Sequence, residues 1–337
     1  MRTPTPRGPL SQWVRDRLTL PAQSQSLSAV DAPPPVTVTV TPRDSLGDLD
    51  LQTALWTCYE LHHSGFEDVE DSREWDPAVI DFRRTLEAVF EEGVRRACAP
   101  LLHRAGDQDV ATELFSLVLE PRGSMLTRHL RRHATLEEVR DFMRQRSIYH
   151  LKESDPQSFL LPRLHGRAKV ALAELQYDEY GGGRPERLHQ TLFARALEAC
   201  GLDSDPGAYL DTADATTLAS TNVMNLFALN RRLRGAAVGH LAAFEATSSL
   251  PCRDVAAGMR RLGLPEAAAE YYDEHVEADA VHEQLAARDI CGALVEEHPG
   301  LREDVLFGAA ACVVLDGLNA RTMLERWDAL EPVGVRA

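Results

Sequence analysis

Residues 267–290 read AAAEYYDEHVEADAVHEQLAARDI. The run falls within a helix expected over 265–294, and polar residues interrupt it at regular intervals. His275, Asp279 and His282 stand at i, i+4 and i+7, within about 60° of arc on one helical face. Two imidazoles and a carboxylate on one stripe suit an iron, manganese or zinc ion. A solvated face is the other reading, because Glu274, Glu277 and Glu283 are close by.

Working outward, the second half of the chain is helical almost throughout. Helices are expected near 147–154, 157–180, 186–200, 206–232, 234–248, 251–261, 265–294 and 300–326. Breakers separate them: Asp155–Pro156, Gly181–Gly183, Asp205–Pro206, Gly235, Pro251, Gly263 with Pro265, and Pro299–Gly300. The first half starts differently. Residues 1–45 hold eight prolines and few large apolar residues, so an extended, partly ordered arm is expected there. Within it, Val36-Thr-Val-Thr-Val40 alternates like a strand and suits packing on the body or on another subunit. Residues 46–146 then read as a helical region, with helices about 107–120 and 135–146. Another helix opens at Pro77 with Asp76 as N-cap, and Thr135 with Glu138 forms a capping box. No strand series or repeat appears, and the architecture expected is an all-α bundle.

Composition narrows the function. The chain has 337 residues and a net charge of −16. That charge argues against a nucleic-acid binder, which needs a basic face, and against an anionic membrane surface. No apolar run approaches the ~20 residues of a membrane span, and the start resembles no secretory signal. Cys58, Cys98, Cys200, Cys252, Cys291 and Cys312 are widely and irregularly spaced, with no C-x-x-C pair. A thiolate metal site and a disulfide framework are therefore not expected, a reducing cytoplasm is the default, and metal chemistry must use His, Asp and Glu.

Further candidates come from polar residues on helices that look buried. Glu245 sits among small apolar neighbours in AAVGHLAAFEATSSL, so its helix should pack closely, and a carboxylate buried there needs a partner or a metal. A charge at the helix end is the plainer alternative. His240, five residues earlier, points elsewhere on the wheel and reads as a core or surface histidine. Glu179 lies in a last helical turn, where a carboxylate opposes the helix dipole, and a triple glycine follows before His189. Glu174 and Asp178 nearby read equally well as surface acids. Glu153 precedes the break at Asp155–Pro156, with His150 three residues before it. Glu60 and His63 form an E-x-x-H, the spacing of ferritin-like diiron sites, but only one convincing copy appears where two are needed.

Taken together, Glu153, Glu179, His189, Glu245, His275, Asp279 and His282 resemble the ligand set of the heme-oxygenase-like diiron oxidases and oxygenases. The order and spacing match: 26 residues from Glu153 to Glu179, 10 to His189, 30 from Glu245 to His275, then H-x-x-x-D-x-x-H. The resemblance covers about residues 140–330. It implies a seven-helix bundle over 147–330 holding two Fe(II)/Fe(III) ions, with O2 as cosubstrate and an external reductant. One iron would take Glu153 and His189, the other His275 and His282, with the remaining carboxylates shared or terminal. The helices of 46–146 look like the N-terminal extension of some N-oxygenating members, which implies a possible homodimer. Some members also carry a C-terminal cupin domain, and a cupin-catalysed rearrangement is not expected here. The extra carboxylate, Glu179, resembles the N-oxygenating branch, so the expected activity is N-oxygenation of a small amine, guanidine or amino-heteroaromatic. An oxidative C–C lyase or desaturase acting on an amino or fatty acid is the alternative, favoured by an apolar tunnel over a polar pocket. A non-catalytic helical iron-binding scaffold is the second alternative. Arg232, Arg234 and Arg260 are candidates for holding a substrate carboxylate.

Overall fold

The computed structural model describes residues 1–19, 36–103, 106, 108–118 and 124–328; for Ser124 and residues 277–281 it describes the backbone alone. Among the described residues the regular structure is helical, with no strand. In chain order the helices are α1 (Pro9–Thr19), α2 (Leu49–Glu60), α3 (Pro77–Leu102), α4 (Val110–Val118), α5 (Ser124–Arg132), α6 (Leu136–His150) and α7 (Asp155–Ser158). The second series is α8 (Gly166–Glu179), α9 (His189–Ala199), α10 (Ala215–Leu229), α11 (Arg234–Arg261), α12 (Glu266–Gln284), α13 (Ala293–Glu297) and α14 (Arg302–Arg326).

Local chemistry sets several boundaries where the sequence places them. Pro77 opens α3, and the Asp76 carboxylate accepts from the N–H groups of Ala78 and Val79 at 3.0 and 3.4 Å. At α6, Thr135 and Glu138 close a reciprocal capping box that satisfies two otherwise orphaned donors. Elsewhere tertiary context overrides the expectation. The arm expected over 1–45 contains α1, whose Leu10, Val14 and Leu18 are buried. Its cap comes from Asp50, which accepts from the N–H groups of Leu10 and Ser11, both at 2.8 Å. A cap supplied forty residues away leaves no local signal. Val36–Val40 is extended, with Val36, Val38 and Val40 packed against the core and the threonines between them exposed. Residues 20–35 of the expected arm lie outside the described residues.

The helices expected at 234–248 and 251–261 are one helix, α11, running through Pro251. The proline removes one donor, but the flanking Val255, Ala256 and Met259 are buried, and that packing outweighs the local break. Conversely, the helix expected over 157–180 splits at Pro162 and at Gly166, which has φ +47°. The helix expected from 206 begins only at Ala215, after a turn at Gly207 and a short 3-10 segment at Leu210–Thr212. Past Gln284, α12 continues as a π-helical stretch, Leu285–Gly292. The helices expected from sequence do not include α5: SMLTRHLRR is mostly polar, and Leu126, Thr127 and Leu130 are its buried residues among those described.

α11 and α14 form the centre of the bundle and touch almost backbone to backbone. A Cβ on Gly239 would stand 1.9 Å from the Val305 carbonyl oxygen, and one on Gly308 1.9 Å from that of Ala236. The close packing expected of AAVGHLAAFEA is thus realised through glycine. The 28-residue span Pro299–Arg326, which includes α14, has an apolar window with a mean hydropathy of 1.3 that meets the composition of a membrane span. In this structure 67% of that window is buried within the bundle, so the helix is apolar as a core element. Two apolar clusters result. The larger joins α1 to α4 with α8, α10, α11 and α14, so the helices before residue 146 share a continuous core with those after it. The smaller gathers α5, α6, α9 and parts of α11, α12 and α14. A group of buried acids and histidines lies where the two meet.

Candidate metal centre

Five segments carry the site. Glu153 follows α6 in a turn, Glu179 ends α8, His189 opens α9, Glu245 lies mid-way along α11, and His275 and His282 lie on α12. All six residues are buried, between 2% and 6% exposed, a burial that acids seldom reach unless partnered or metal-bound. The triple glycine is what joins Glu179 to His189. Gly181, Gly182 and Gly183 all have positive φ, and a Cβ on Gly181 would meet the Arg187 carbonyl carbon at 2.6 Å. The chain therefore doubles back tightly, and His189 Nδ1 comes to 3.1 Å from Glu179 Oε2. Ser154, in the left-handed region at φ 67°, is held by its Oγ donating to Glu179 Oε2 at 3.1 Å and by Gln176 donating to its carbonyl at 2.9 Å. Non-glycine backbone in this region costs about 1–3 kcal/mol and concentrates at functional sites.

The donor atoms fall into two adjoining groups. Glu153, Glu179, His189 and His275 form one, and Glu179, Glu245 and His282 the other; within each group one atom per residue lies within 4.8 Å of all the rest. Glu179 belongs to both. His282 Nδ1 faces Glu245 Oε2 at 3.5 Å and Glu179 Oε1 at 3.7 Å. His275 Nε2 faces Glu153 Oε1 at 3.7 Å. His275 and His282, which the resemblance would give to one iron, fall in different groups here. Seven residues along a helix are about 10.5 Å apart, so a single face of α12 reaches both groups. The Asp279 side chain lies outside the described residues.

The surroundings of these ligands are polar and directed. Tyr271 donates to Glu153 Oε2 at 2.7 Å, leaving Oε1 turned toward His275. The Tyr271 carbonyl faces His275 Nδ1 at 2.8 Å. Burial by itself would raise the Glu153 carboxyl, but His150 and His275 beside it hold it below the usual carboxylate range. Burial keeps Glu245 above that range despite its contact with His282. His282 is lowered by burial and raised more by Glu245 and Glu179, ending at about 9. The ion partners of these three carboxylates are histidines. Three acids balanced by titratable imidazoles form a set that a divalent cation completes. Its hard oxygens and borderline nitrogens suit iron. His282 Nδ1 makes no hydrogen bond among the described residues although buried, as expected of a lone pair directed at an ion. The residues present therefore fit the metal.

The remaining sequence candidates lie elsewhere. Glu60 forms an ion pair with Lys152, and His63 bonds Asn225 Oδ1 at 2.6 Å, so the E-x-x-H pair is structural. His240 is buried beside Phe227, and burial lowers it to about 4. Glu174 is exposed, whereas Asp178 reaches His282 Nε2 at 3.3 Å. Cys58, Cys98, Cys200, Cys291 and Cys312 are buried, and burial raises all five thiols.

A cavity of about 840 Å³ adjoins the first group, with Glu153 and His275 in its wall. Phe115, Leu126, Phe244 and Val313 make much of it apolar. The Arg146 guanidinium also lines it, 3.1 Å from Asp316 and over the Phe142 ring. Beside that pair, Gln145 accepts from Thr217 at 2.8 Å. None of the arginines singled out from sequence lines this cavity. Arg232 pairs with Glu91, Arg260 with Glu266 and Asp273, and Arg234 bonds a neighbouring carbonyl. Arg146, which none of the sequence candidates includes, holds that place instead. It stands one helical turn before His150 on α6.

Comparison with known proteins agrees with this picture. A family model described as iron-containing redox enzyme matches residues 140–317, just over half of the chain. Nitrosourea synthase from Streptomyces achromogenes subsp. streptozoticus is 30% identical over 148 residues, 44% of this chain and 31% of that protein. The match thus spans under a third of that relative's length. With a heme-oxygenase-like all-α bundle and a buried acid–histidine cluster able to hold metal ions, this chain belongs to the heme-oxygenase-like family of iron-containing redox enzymes.

Proposed function

We propose that the chain is a non-heme diiron oxygenase that transfers oxygen to the nitrogen of a small amine, guanidine or amino-heteroaromatic. The observation that carries the two-ion reading is Glu179, whose two oxygens face opposite groups, one toward His189 and one toward His282. In this reading Glu153, His189 and His275 would hold one ion and Glu245 and His282 the other, with Glu179 available to both. Asp279 would be a further ligand by its place in the H-x-x-x-D-x-x-H motif. When bound there, ferrous ions would supply electrons for O2 activation, with an external reductant to renew them.

The chain's own residues bind, orient and shield. Tyr271 keeps one oxygen of Glu153 occupied, so this ligand presents a single oxygen to the site. Ser154 donates to Glu179 Oε2 and so orients that carboxylate between the two groups. The apolar walls of the cavity exclude water from the side of Glu153 and His275, where a substrate nitrogen approaches. Arg146 and Asp316 offer a charged resting place for the far end of a polar molecule. Nitrosourea synthase is named for a product with a nitroso group, which supports nitrogen over carbon as the atom attacked. The apolar part of the wall is what favours the second reading, a C–C lyase or desaturase.

The test is anaerobic loading with ferrous iron, mixing with O2, and visible absorption against time. About two irons per chain and a transient absorption without substrate, decaying faster with an added amine, support N-oxygenation. A transient that requires substrate favours the lyase or desaturase. Negligible iron together with no O2 uptake overturns both.

A further inference from the structure

The last turn of α8 carries two successive acids, Asp178 and Glu179, where the negative end of the helix dipole disfavours both. Glu179 is accounted for as a ligand. Asp178 points outward, its side chain 52% exposed, yet it is not a free surface acid. Its Oδ2 lies 3.3 Å from Nε2 of the buried His282 ring. The other ring nitrogen, Nδ1, faces Glu179 and Glu245. The His282 imidazole is therefore gripped from both sides by consecutive residues of one helical turn.

We propose that Asp178 is a positioning residue for the metal centre: by accepting the Nε2–H of His282 it leaves the Nδ1 lone pair directed at the ion shared with Glu179 and Glu245. A neutral imidazole has one N–H and one lone pair, and the acceptor at one nitrogen decides which is which. Carboxylates that accept from the distal nitrogen of a metal-bound histidine fix its tautomer and ring orientation. The first group is arranged the opposite way. There the Tyr271 carbonyl takes His275 Nδ1, and Nε2 faces Glu153. The two α12 histidines thus present different nitrogens, and the difference is set by what stands outside each ring. This inference rests on the two-ion reading.

The experiment titrates the full-length protein with Co(II) anaerobically, following visible absorption. The wild type takes two equivalents. Asp178→Ala weakens one of them by roughly ten- to hundredfold and leaves the other unchanged. Asp178→Asn recovers part of the loss, because its amide oxygen still accepts from Nε2–H. Glu174→Ala, one turn earlier on the same exposed face, behaves as wild type. In zinc-loaded protein, 15N chemical shifts place the metal on His282 Nδ1 and the proton on Nε2. Unchanged affinity for both equivalents in Asp178→Ala, or metal on Nε2, overturns the inference. So does equal weakening of both equivalents, which marks general loss of structure. A wild type that takes one equivalent overturns the two-ion reading itself. Asp178→Ala then still decides this inference, sustaining it if that equivalent weakens and overturning it if not.

Discussion

Gly239→Ala sets helix propensity against packing, and the structure decides the sign. Replacing glycine by alanine within a helix normally stabilises by about 1 kcal/mol. Here the new Cβ would stand 1.9 Å from the Val305 carbonyl oxygen and 2.7 Å from its carbon. An ordinary contact to that oxygen needs about 3.2 Å, so α11 and α14 must separate by roughly 1.3 Å. The obstacle is backbone and cannot rotate aside. Overpacking of this kind costs about 1–3 kcal/mol or more, and the displaced α14 is a central element, so the upper end applies. The net expectation is a loss of about 2 kcal/mol, which lowers Tm by several degrees at about 2–4 °C per kcal/mol. Function suffers with stability. Glu245 lies six residues along the same helix, about 9 Å away, and moves with it relative to His282 on α12. Urea unfolding and iron stoichiometry, measured on the same preparations, provide the check. Gly308→Ala, which meets the Ala236 carbonyl at the same crossing, should behave alike. A Gly239→Ala protein as stable as wild type, or more so, with full iron content refutes the reasoning.

Other perturbations separate the parts of the site. Glu245→Ala and His275→Ala should each lower iron content and abolish turnover with the bundle still folded; iron analysis and circular dichroism test this, and normal activity in both would remove them from the site. Glu179→Ala should affect both metal positions, seen as loss of more than one equivalent of Co(II), because its carboxylate belongs to both groups. Arg146→Met should leave metal uptake intact while raising KM for a charged substrate, since Arg146 lines the cavity beyond the metal groups. For His240, burial lowers the folded-state pKa from 6.5 to about 4. Between those values the unfolded chain binds the proton and the folded chain does not, so this histidine's contribution falls as pH drops from about 6.5 to about 4, by up to about 3 kcal/mol. The stability difference between wild type and His240→Leu should shift by that amount over the window, measured by urea unfolding at each pH, and a pH-independent difference would contradict it.

Much of this molecule is local in origin and can be read from the chain alone. The start of α3 at Asp76–Pro77 and the capping box of α6 depend on residues within one turn. The close approach of α11 follows from its small residues, and the turn between Glu179 and His189 from three consecutive glycines. The candidate ligands were legible because acids and imidazoles on apolar helices are conspicuous, and six of the seven side chains converge in the structure. What tertiary structure alone decided involves partners from different elements. α1 is capped by Asp50 of α2, and α11 continues through Pro251 because its neighbours hold it. His275 and His282 share one stripe yet fall in different donor groups. Periodicity describes the angle around a helix, whereas the grouping of ligands depends on height along it and on which neighbouring helix stands there. Asp178 and Arg146 gain their meaning in the same way, one from the ring it grips on α12 and the other from the cavity it lines. A sequence specifies which faces are buried; which buried groups meet is settled only when the helices cross.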